Sequence, residues 1–576
     1  MLGLSRAFLK TDSSLAGSER ARDEWSALVL PRCRVPDFRT DRGRARVLLT
    51  ARAVPALLAV VTVGLTSCTS ASAAPHVVPA PVRVAPRTRL PASSTSVLTG
   101  PADVVAADVA QSLFASAPVI VVASPSPQAE VAAARQALRA HAPLLLTAAR
   151  AGRSAPGGVA TMALRITVRP ASGSSPAGTA VVSAALRARI EALDPHVVLA
   201  VGVAANVLTA QLPGIRVVTN PAMLPATEPP ALLGHLALLV HAGDTGAATL
   251  AAVTTARVAG AQVIAVSGDD PRADPAAIVA LSAMRPQRVL AIGSGFGPAD
   301  RLASRIAVAQ TGVQLPGGGQ VLFPGHLLVA LYGHPGTPGL GVLGQQGLQA
   351  SIARARRVAA AYRPLSSARV IPAFEIIATV AQASPGPNGD YSYESSVASL
   401  RPWVRRARAA GFYVILDLQP GRASLLTQAR KYQSLLELPD VGLAIDPEWK
   451  LAPGQLPLRQ IGSVGIGEVN SVVRWLAALT ARYRLPQKLL VLHQFQLSMI
   501  RDERDLDTRN DDLAILIHMD GQGTPADKQQ TWDAITRAAP PRVFFGWKNF
   551  YVKDHPMLSP RQTIARTPKL SMISYQ

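Results

Sequence analysis

Two carboxylates separated by one residue, Asp446 and Glu448, are the side chains in this sequence whose types and spacing best suit chemistry. They end the string Gly442-Leu-Ala-Ile-Asp-Pro-Glu, whose apolar start predicts a β-strand. Side chains alternate along a strand, so both carboxylates are expected to point the same way, about 7 Å apart at about 3.3 Å per residue. Their repulsion raises the pKa of one of them, and a proton donor beside an anion is the pair that glycosidic bond cleavage requires.

A structural role for the two carboxylates is the alternative. In that interpretation Asp446 and Glu448 cap the following loop, or they form ion pairs with Lys450 or Arg459. Pro447 is also unusual inside a strand, because proline has no N–H to donate to a neighbouring strand. The sequence alone leaves both interpretations open.

The elements that must position these residues form a regular series in the C-terminal part of the chain. Most of the apolar runs there are separated by helical stretches, and eight βα units in about 250 residues predict a (β/α)₈ barrel over residues 320–576. A doubly wound sheet is the alternative. The predicted strands are His326–Gly333, Val370–Thr379, Tyr413–Gln419, Val441–Glu448, Leu489–Phe495, Leu513–Asp520, Val543–Asn549 and Leu570–Tyr575.

Polar side chains follow most of these strands, and the carboxyl ends of barrel strands meet on one face, where active sites form. We therefore predict one solvent-accessible cleft shared by Asp417, Asp446, Glu448, Glu375, His493 and Asp520. If Glu375 is buried, Lys548 is its candidate partner. The predicted catalytic residues are Glu448, Asp446 and Asp417. The predicted substrate-binding residues are His334, Glu375, Gln419, Trp449, His493, His518, Asp520, Trp547, Lys548 and Tyr575. No close His–Glu spacing indicates a metal site, and no cofactor is predicted.

The string from Val441 to Glu448 resembles the fourth strand of chitinase-type glycoside hydrolases, D-G-x-D-x-D-x-E. This resemblance implies that Glu448 is the acid and that Asp446 orients the acetamide group of the substrate. Ala444 stands where that family has its middle aspartate, and Val441 stands where it has the first. Two hypotheses follow: a glycoside hydrolase acting on cell-wall or extracellular glycan, or a non-catalytic wall-binding protein with a degenerate barrel.

Residues 103–312 predict an α/β domain with parallel sheets, because short apolar runs alternate there with alanine-rich stretches. The pattern occurs twice, and Pro195-His-Val-Val-Leu-Ala-Val-Gly aligns with Pro286-Gln-Arg-Val-Leu-Ala-Ile-Gly. The apolar strings VIVVAS and PLLLTA in the first copy match LALLVH and QVIAVS in the second. This two-fold pattern resembles the cell-wall-binding repeats of the second type, and the resemblance implies association with the wall.

An export signal is predicted within residues 1–67. Basic residues from Arg42 to Arg52 precede the apolar run Ala53–Leu65, which is shorter than the about 20 residues that span a bilayer. The string Leu65-Thr-Ser-Cys68 resembles a bacterial lipobox, which implies a lipid on Cys68 and a location on the extracellular face of the cell membrane. Residues 68–102 are rich in Pro, Ala and Ser and predict a disordered tether.

The charge of the chain limits the classes of molecule that it is expected to bind. The net charge of +22 suits anionic partners, but basic runs interleaved with aromatic residues are absent from the sequence, so no nucleic acid is expected.

Residues 325–576 also resemble an uncharacterised group of lipoproteins from high-GC Gram-positive bacteria. The resemblance rests on the strings YGHPGTP, PAFEII, LDLQPG, DPEW and GWKNF.

Overall fold

A computed structural model of the chain describes residues 83–148 and 182–576, and its contacts divide the chain into two compact units. Within the described residues, the first unit takes in residues 83–89, 102–148, 182–232 and 245–259, and the second takes in 90–101, 233–244 and 260–576. The predicted export signal and Cys68, the predicted lipidation site, lie outside the described residues. None of the helices in the described ranges combines the length and apolar character needed to cross a membrane.

The first unit contains a parallel sheet in the order β5–β4–β6–β7. Its central strands are continuous apolar runs such as VIVVA, because a parallel sheet is buried on both faces. The strands that precede residue 220 are β1 (Arg87–Thr88), β2 (Thr95–Leu98), β3 (Phe114–Ser116), β4 (Val119–Ala123), β5 (Leu144–Leu146), β6 (Val197–Val201) and β7 (Arg216–Val218), of which β2 belongs to the second unit. The helices of the first unit are α1 (Ala102–Leu113), α2 (Pro127–Arg139), α3 (Ala184–Glu191), α4 (Ala205–Gln211) and α5 (Ala247–Val258).

The second unit contains a four-stranded parallel sheet with the order β2–β10–β8–β9. Its remaining elements are β8 (Leu236–His241), β9 (Gln262–Val266), β10 (Arg288–Ile292), α6 (Pro275–Met284) and α7 (Ala299–Ala309). The order β9–β8–β10 in this sheet is the same as the order β5–β4–β6 in the first unit. The sequence repeat therefore corresponds to two sheets of like topology, while wall association and the boundary between residues 312 and 320 stay predictions.

The second unit also contains a closed barrel of eight parallel strands, so the predicted (β/α)₈ fold is confirmed. The barrel strands are β11 (His326–Gly333), β12 (Arg369–Ala381), β14 (Tyr413–Leu418), β15 (Val441–Ile445), β17 (Lys488–Gln494), β19 (Leu513–Met519), β20 (Phe544–Asn549) and β21 (Leu570–Tyr575). β13 (Ser392–Glu394) extends β12, and β16 (Val464–Gly465) pairs with β18 (Ile500–Arg501). The helices are α8 (Leu348–Ala360), α9 (Val397–Ala409), α10 (Leu425–Lys431), α11 (Gln433–Leu436), α12 (Ile466–Arg482), α13 (Pro525–Ala538) and α14 (Pro560–Ile564).

Side chains of the barrel strands separate into two layers because successive residues point to opposite faces. Inward positions such as Ala330, Ile415 and Val491 fill the lower part of the barrel. Their sequence neighbours, such as Leu331 and Leu416, pack outward against the helices. The inward rows end in polar side chains toward the carboxyl ends of the strands, so the candidate site lies above a packed apolar floor.

Candidate active site

A cleft of about 590 Å³ opens at the carboxyl ends of the barrel strands. A volume of this size is typical of sites for small molecules and sugar units. Six of the predicted site residues line it, and these are Gln419, Asp446, Glu448, Trp449, Asp520 and Lys548. Aromatic and amide side chains that also line it include Phe495, Phe550, Gln496, Gln522 and Gln576. The cleft therefore combines carboxyl groups with the flat apolar and hydrogen-bonding surfaces that a polyol can contact.

The two closely spaced carboxyls do not lie on a strand, so that expectation is wrong. β15 ends at Ile445, and Pro447–Trp449 form a short 3₁₀ turn. Proline cannot donate to a strand ladder, which explains why the strand stops there. Asp446 Oδ1 accepts a hydrogen bond of 3.2 Å from the backbone N–H of Glu448. Asp446 therefore caps the turn, as the alternative interpretation expected, while Lys450 pairs with Glu468.

Both carboxyls of this turn hold their protons more strongly than free carboxyls do. Burial, followed by the charge of Asp417, raises the pKa of Asp446 well above its ordinary value. Burial, followed by the charge of Asp520, raises the pKa of Glu448. Glu448 is only half-buried and lines the cleft, so its proton can reach a bound molecule. The main cause is thus removal from water, with repulsion between carboxylates as the smaller effect.

A fully buried histidine links two carboxylates beneath the cleft. His493 Nε2 lies 2.9 Å from Glu375 Oε1, and His493 Nδ1 lies 3.1 Å from Asp520 Oδ2. Nδ1 has no hydrogen-bond partner in the described residues, so the second contact is an ion pair. Burial lowers the pKa of His493, but the charge of Glu375 and the contacts with both carboxylates outweigh burial and raise it well above the ordinary value. The ring is therefore positively charged at neutral pH.

Two expectations about this buried layer are wrong. The partner of Glu375 is His493 rather than Lys548. Glu375, Asp417 and His493 are each 0% exposed, so they lie under the cleft and do not share its surface with Glu448. All three lie on barrel strands as predicted, but solvent does not reach their side chains.

Asp417 accepts a hydrogen bond from a tyrosine that was not among the predicted site residues. Tyr332 donates a hydrogen bond of 2.9 Å to Asp417 Oδ2, and Gln419 Nε2 donates one of 3.3 Å to the Tyr332 hydroxyl. Burial raises the pKa of Asp417 to about 6, against the opposing charge of His493. Tyr332 occupies an inward position on β11, two residues after Ala330, and this alternation was the available signal for it.

Lys548 stands between the buried layer and the cleft. Its Nζ lies 3.5 Å from the centre of the Tyr332 ring, a cation–π contact, and 4.0 Å from Asp520 Oδ2. Burial raises the pKa of Asp520, but contact with the charged His493 and the charge of Lys548 outweigh burial and lower it below its ordinary value. Asp520 is thus an anion flanked by two cations, and it lies in the same cleft as Glu448, whose surroundings shift its pKa in the opposite direction.

His518 lies deeper and takes no part in the cleft. Its ring stacks on His493 at 5.2 Å, and its Nε2 lies 3.0 Å from the Ser574 hydroxyl. Burial, with the charges of His493 and Lys548, lowers the pKa of His518 well below its ordinary value, so the ring is neutral. A Cβ at Gly546 would come within 3.1 Å of the His518 ring, so glycine at this inward position makes room for it.

Three further predicted substrate-binding residues do not line the cleft. Trp547 and Tyr575 occupy outward positions and pack in the core between the strands and the helices. His334 follows Gly333, whose φ of +146° and close approach to Gly341 turn the chain away, so that His334 Nε2 lies 3.2 Å from the Ser395 hydroxyl. Proximity to a strand end placed these residues in the prediction, but the face of the strand decided their position.

In the parts of the chain that the structure describes, no group of three or more His, Cys, Asp or Glu side chains is arranged to hold a metal ion. Comparison with known proteins adds no assignment: no family model matches the chain, and no curated protein matches its sequence.

Proposed function

We propose that this protein is a surface lipoprotein whose barrel hydrolyses glycosidic bonds in cell-wall or extracellular glycan. The observation that carries the proposal is the opposite shift of two carboxyl groups in one cleft. The surroundings of Glu448 favour its protonated form, and those of Asp520 favour its anion. Pairs of carboxyls whose pKa values are pushed apart are the recurring basis of acid and anion roles in glycosidases.

In the proposed reaction Glu448 gives its proton to the oxygen of the leaving sugar as the glycosidic bond breaks. Asp520 supplies the negative charge that stabilises the positive charge developing on the sugar ring. Water adds its hydroxyl to the anomeric carbon, and its remaining proton returns to the carboxylate of Glu448, so that atoms and charges balance. Asp446 holds the turn that carries Glu448 through its hydrogen bond to the Glu448 N–H.

The other walls of the cleft are suited to sugar rings. Trp449, Phe495 and Phe550 offer aromatic faces, and several glutamines offer amide donors and acceptors. Lys548 and Lys553 add positive charge to the cleft, and the chain as a whole carries +22. This charge favours a glycan that carries acidic groups or lies among anionic wall polymers.

A non-catalytic wall-binding protein is the second candidate. It is favoured by Ala444, which is fully buried in the barrel where the resembling hydrolases have an aspartate. It is also favoured by the use of Asp446 as a turn cap, since a capping carboxylate has a sufficient structural role.

Release of soluble sugar from purified cell walls by the full chain separates the two candidates. General acid catalysis contributes about 10²–10⁴-fold, so Glu448→Gln should lose at least about 100-fold of the release rate. Glu503→Gln is the matched control, because burial also raises the pKa of Glu503 but this residue does not line the cleft. Co-sedimentation of the protein with walls, without any sugar release, would support the binding protein instead. Equal release by the wild type and Glu448→Gln would remove Glu448 from the mechanism.

A further inference from the structure

We infer that the buried pair Glu375–His493 is a positioning device that keeps Asp520 in its anionic form inside the cleft. The inference rests on the proposed function for its catalytic meaning, since Asp520 is there the anion that acts beside Glu448. Its physical content is independent of catalysis, because it states which charges the three side chains carry and why. Neither Glu375 nor His493 reaches the cleft surface, so both act through Asp520.

The geometry is a chain of contacts from the barrel interior to the cleft. Glu375 on β12 holds His493 Nε2 at 2.9 Å, and the opposite ring nitrogen faces Asp520 Oδ2 at 3.1 Å. Glu375 and His493 are 0% exposed, whereas Asp520 follows β19 and lines the cleft. An isolated charge cannot be buried at this depth without a large cost, so each member requires the charge of the next.

Only one oxygen of Asp520 is engaged by this chain. Oδ2 faces His493, while Oδ1 has no hydrogen-bond partner in the described residues. A buried carboxylate oxygen without a partner is costly unless a ligand or water satisfies it. Oδ1 is itself buried, so the charge of His493 facing Oδ2 is the main stabilisation that the Asp520 anion receives in the structure.

Other titratable groups around His493 could compete for its charge, and they do not change its sign. Asp417 Oδ1 lies 3.9 Å from Nε2, which adds a third carboxyl on the side of Glu375. Lys548 opposes the charge of His493, and the neutral His518 stacks on the ring. The groups that face His493 from the packed elements are Tyr332 on β11, Glu375 on β12, Asp417 on β14, Asp446 and Glu448 after β15, His518 and Asp520 on and after β19, and Lys548 on β20.

Nuclear magnetic resonance titration of the full chain with labelled histidine and aspartate tests the inference without any substrate. In the wild type we expect both ring nitrogens of His493 to stay protonated at pH 7 and Asp520 to titrate below the ordinary midpoint of an aspartate. Removing an opposite charge at this distance shifts a carboxyl pKa by about 1–3 units. His493→Gln should therefore raise the titration midpoint of Asp520 by at least about 1 unit.

Two further variants make the test specific. Glu375→Gln keeps the shape of the side chain without its charge, so His493 should lose its proton at a lower pH than in the wild type. This variant tests the inference independently if His493→Gln fails to fold. His518→Gln is the comparison variant, because burial keeps its ring neutral and no hydrogen bond or ion pair joins it to Asp520 in the described residues; it should move the Asp520 midpoint less than His493→Gln does. A neutral His493 at pH 7, or an unchanged Asp520 midpoint in His493→Gln, would overturn the inference.

Glycan cleavage supplies a separate arm. If the wild type cleaves glycan, the acidic limb of its kcat/KM profile should move upward in His493→Gln by the same amount as the Asp520 midpoint. If the wild type cleaves nothing while the titrations behave as expected, the proposed function fails and the charge coupling stands. A changed kcat with an unmoved acidic limb would mean that His493 is only structural and would contradict the inference.

Discussion

Replacing Asp417 by Asn should remove a pH-dependent loss of stability from the barrel while leaving catalysis largely intact. Burial raises the pKa of Asp417 to about 6, against an ordinary value of 3.8. Between these values the unfolded chain releases this proton and the folded barrel retains it, so the free energy of unfolding falls as the pH rises. A difference of about 2 pKa units corresponds to a loss of up to about 3 kcal/mol, at 1.36 kcal/mol per unit.

The loss begins near pH 4 and is complete above pH 6, because above that value Asp417 is ionised in both states. Asparagine keeps an oxygen that accepts the hydrogen bond of Tyr332 but has no proton to release. Relative to the wild type, Asp417→Asn should therefore gain stability on going from pH 4 to pH 7, by up to about 3 kcal/mol.

Urea unfolding of both proteins at pH 4, 5, 6 and 7, followed by tryptophan fluorescence, measures this difference. The method reports on the second unit, because five of the six tryptophans lie in it, at positions 403, 449, 475, 532 and 547. Asp533→Asn, at an exposed position on α13, is the matched control for the removal of one carboxyl group from the second unit. A constant difference for Asp417→Asn across this range would refute the reasoning from burial. A 100-fold loss of sugar release would instead return Asp417 to the catalytic residues.

Three further predictions concern single substitutions. Trp547 is fully buried outside the cleft, so Trp547→Ala should cost about 3–5 kcal/mol of stability in thermal or urea unfolding. Trp449 is half-buried in the cleft, so Trp449→Ala should weaken glycan co-sedimentation several-fold, from the loss of about 0.5–1.5 kcal/mol of aromatic contact, with little change in the unfolding midpoint. Cys68→Ala should leave an unprocessed precursor or release the protein into the medium; unchanged processing and membrane retention would contradict lipidation at this residue.

Most of the barrel could be predicted from local sequence. The predicted strand His326–Gly333 has the same bounds in the structure, and Leu513–Asp520 is longer than β19 by one residue. The prediction worked because a buried parallel strand is a continuous apolar run, and this pattern needs no knowledge of distant residues. It failed from Asp446 onward, because Pro447 ended the strand three residues before the predicted end at Glu448 and a turn formed there instead.

The candidate site could be predicted only in part, because position at a strand end is local but orientation and depth are not. Alternation along β20 and β21 already separates the inward Lys548 and Ser574 from the outward Trp547 and Tyr575. A prediction that rests on position at a strand end, without the in–out alternation of side chains, includes residues that pack against the helices.

The sequence by itself determined where the strands lie, which of their ends are polar, and that carboxyls would gather above an apolar barrel. Only the tertiary structure decided that Glu375 pairs with His493, 118 residues away, and that Lys548 stacks on Tyr332. Such contacts depend on the closure and stagger of the barrel, which set which inward side chains meet at one height. Burial then decides the direction of each pKa shift, because a carboxyl group kept from water holds its proton more strongly. A neighbouring cation reverses this effect, as His493 does for Asp520.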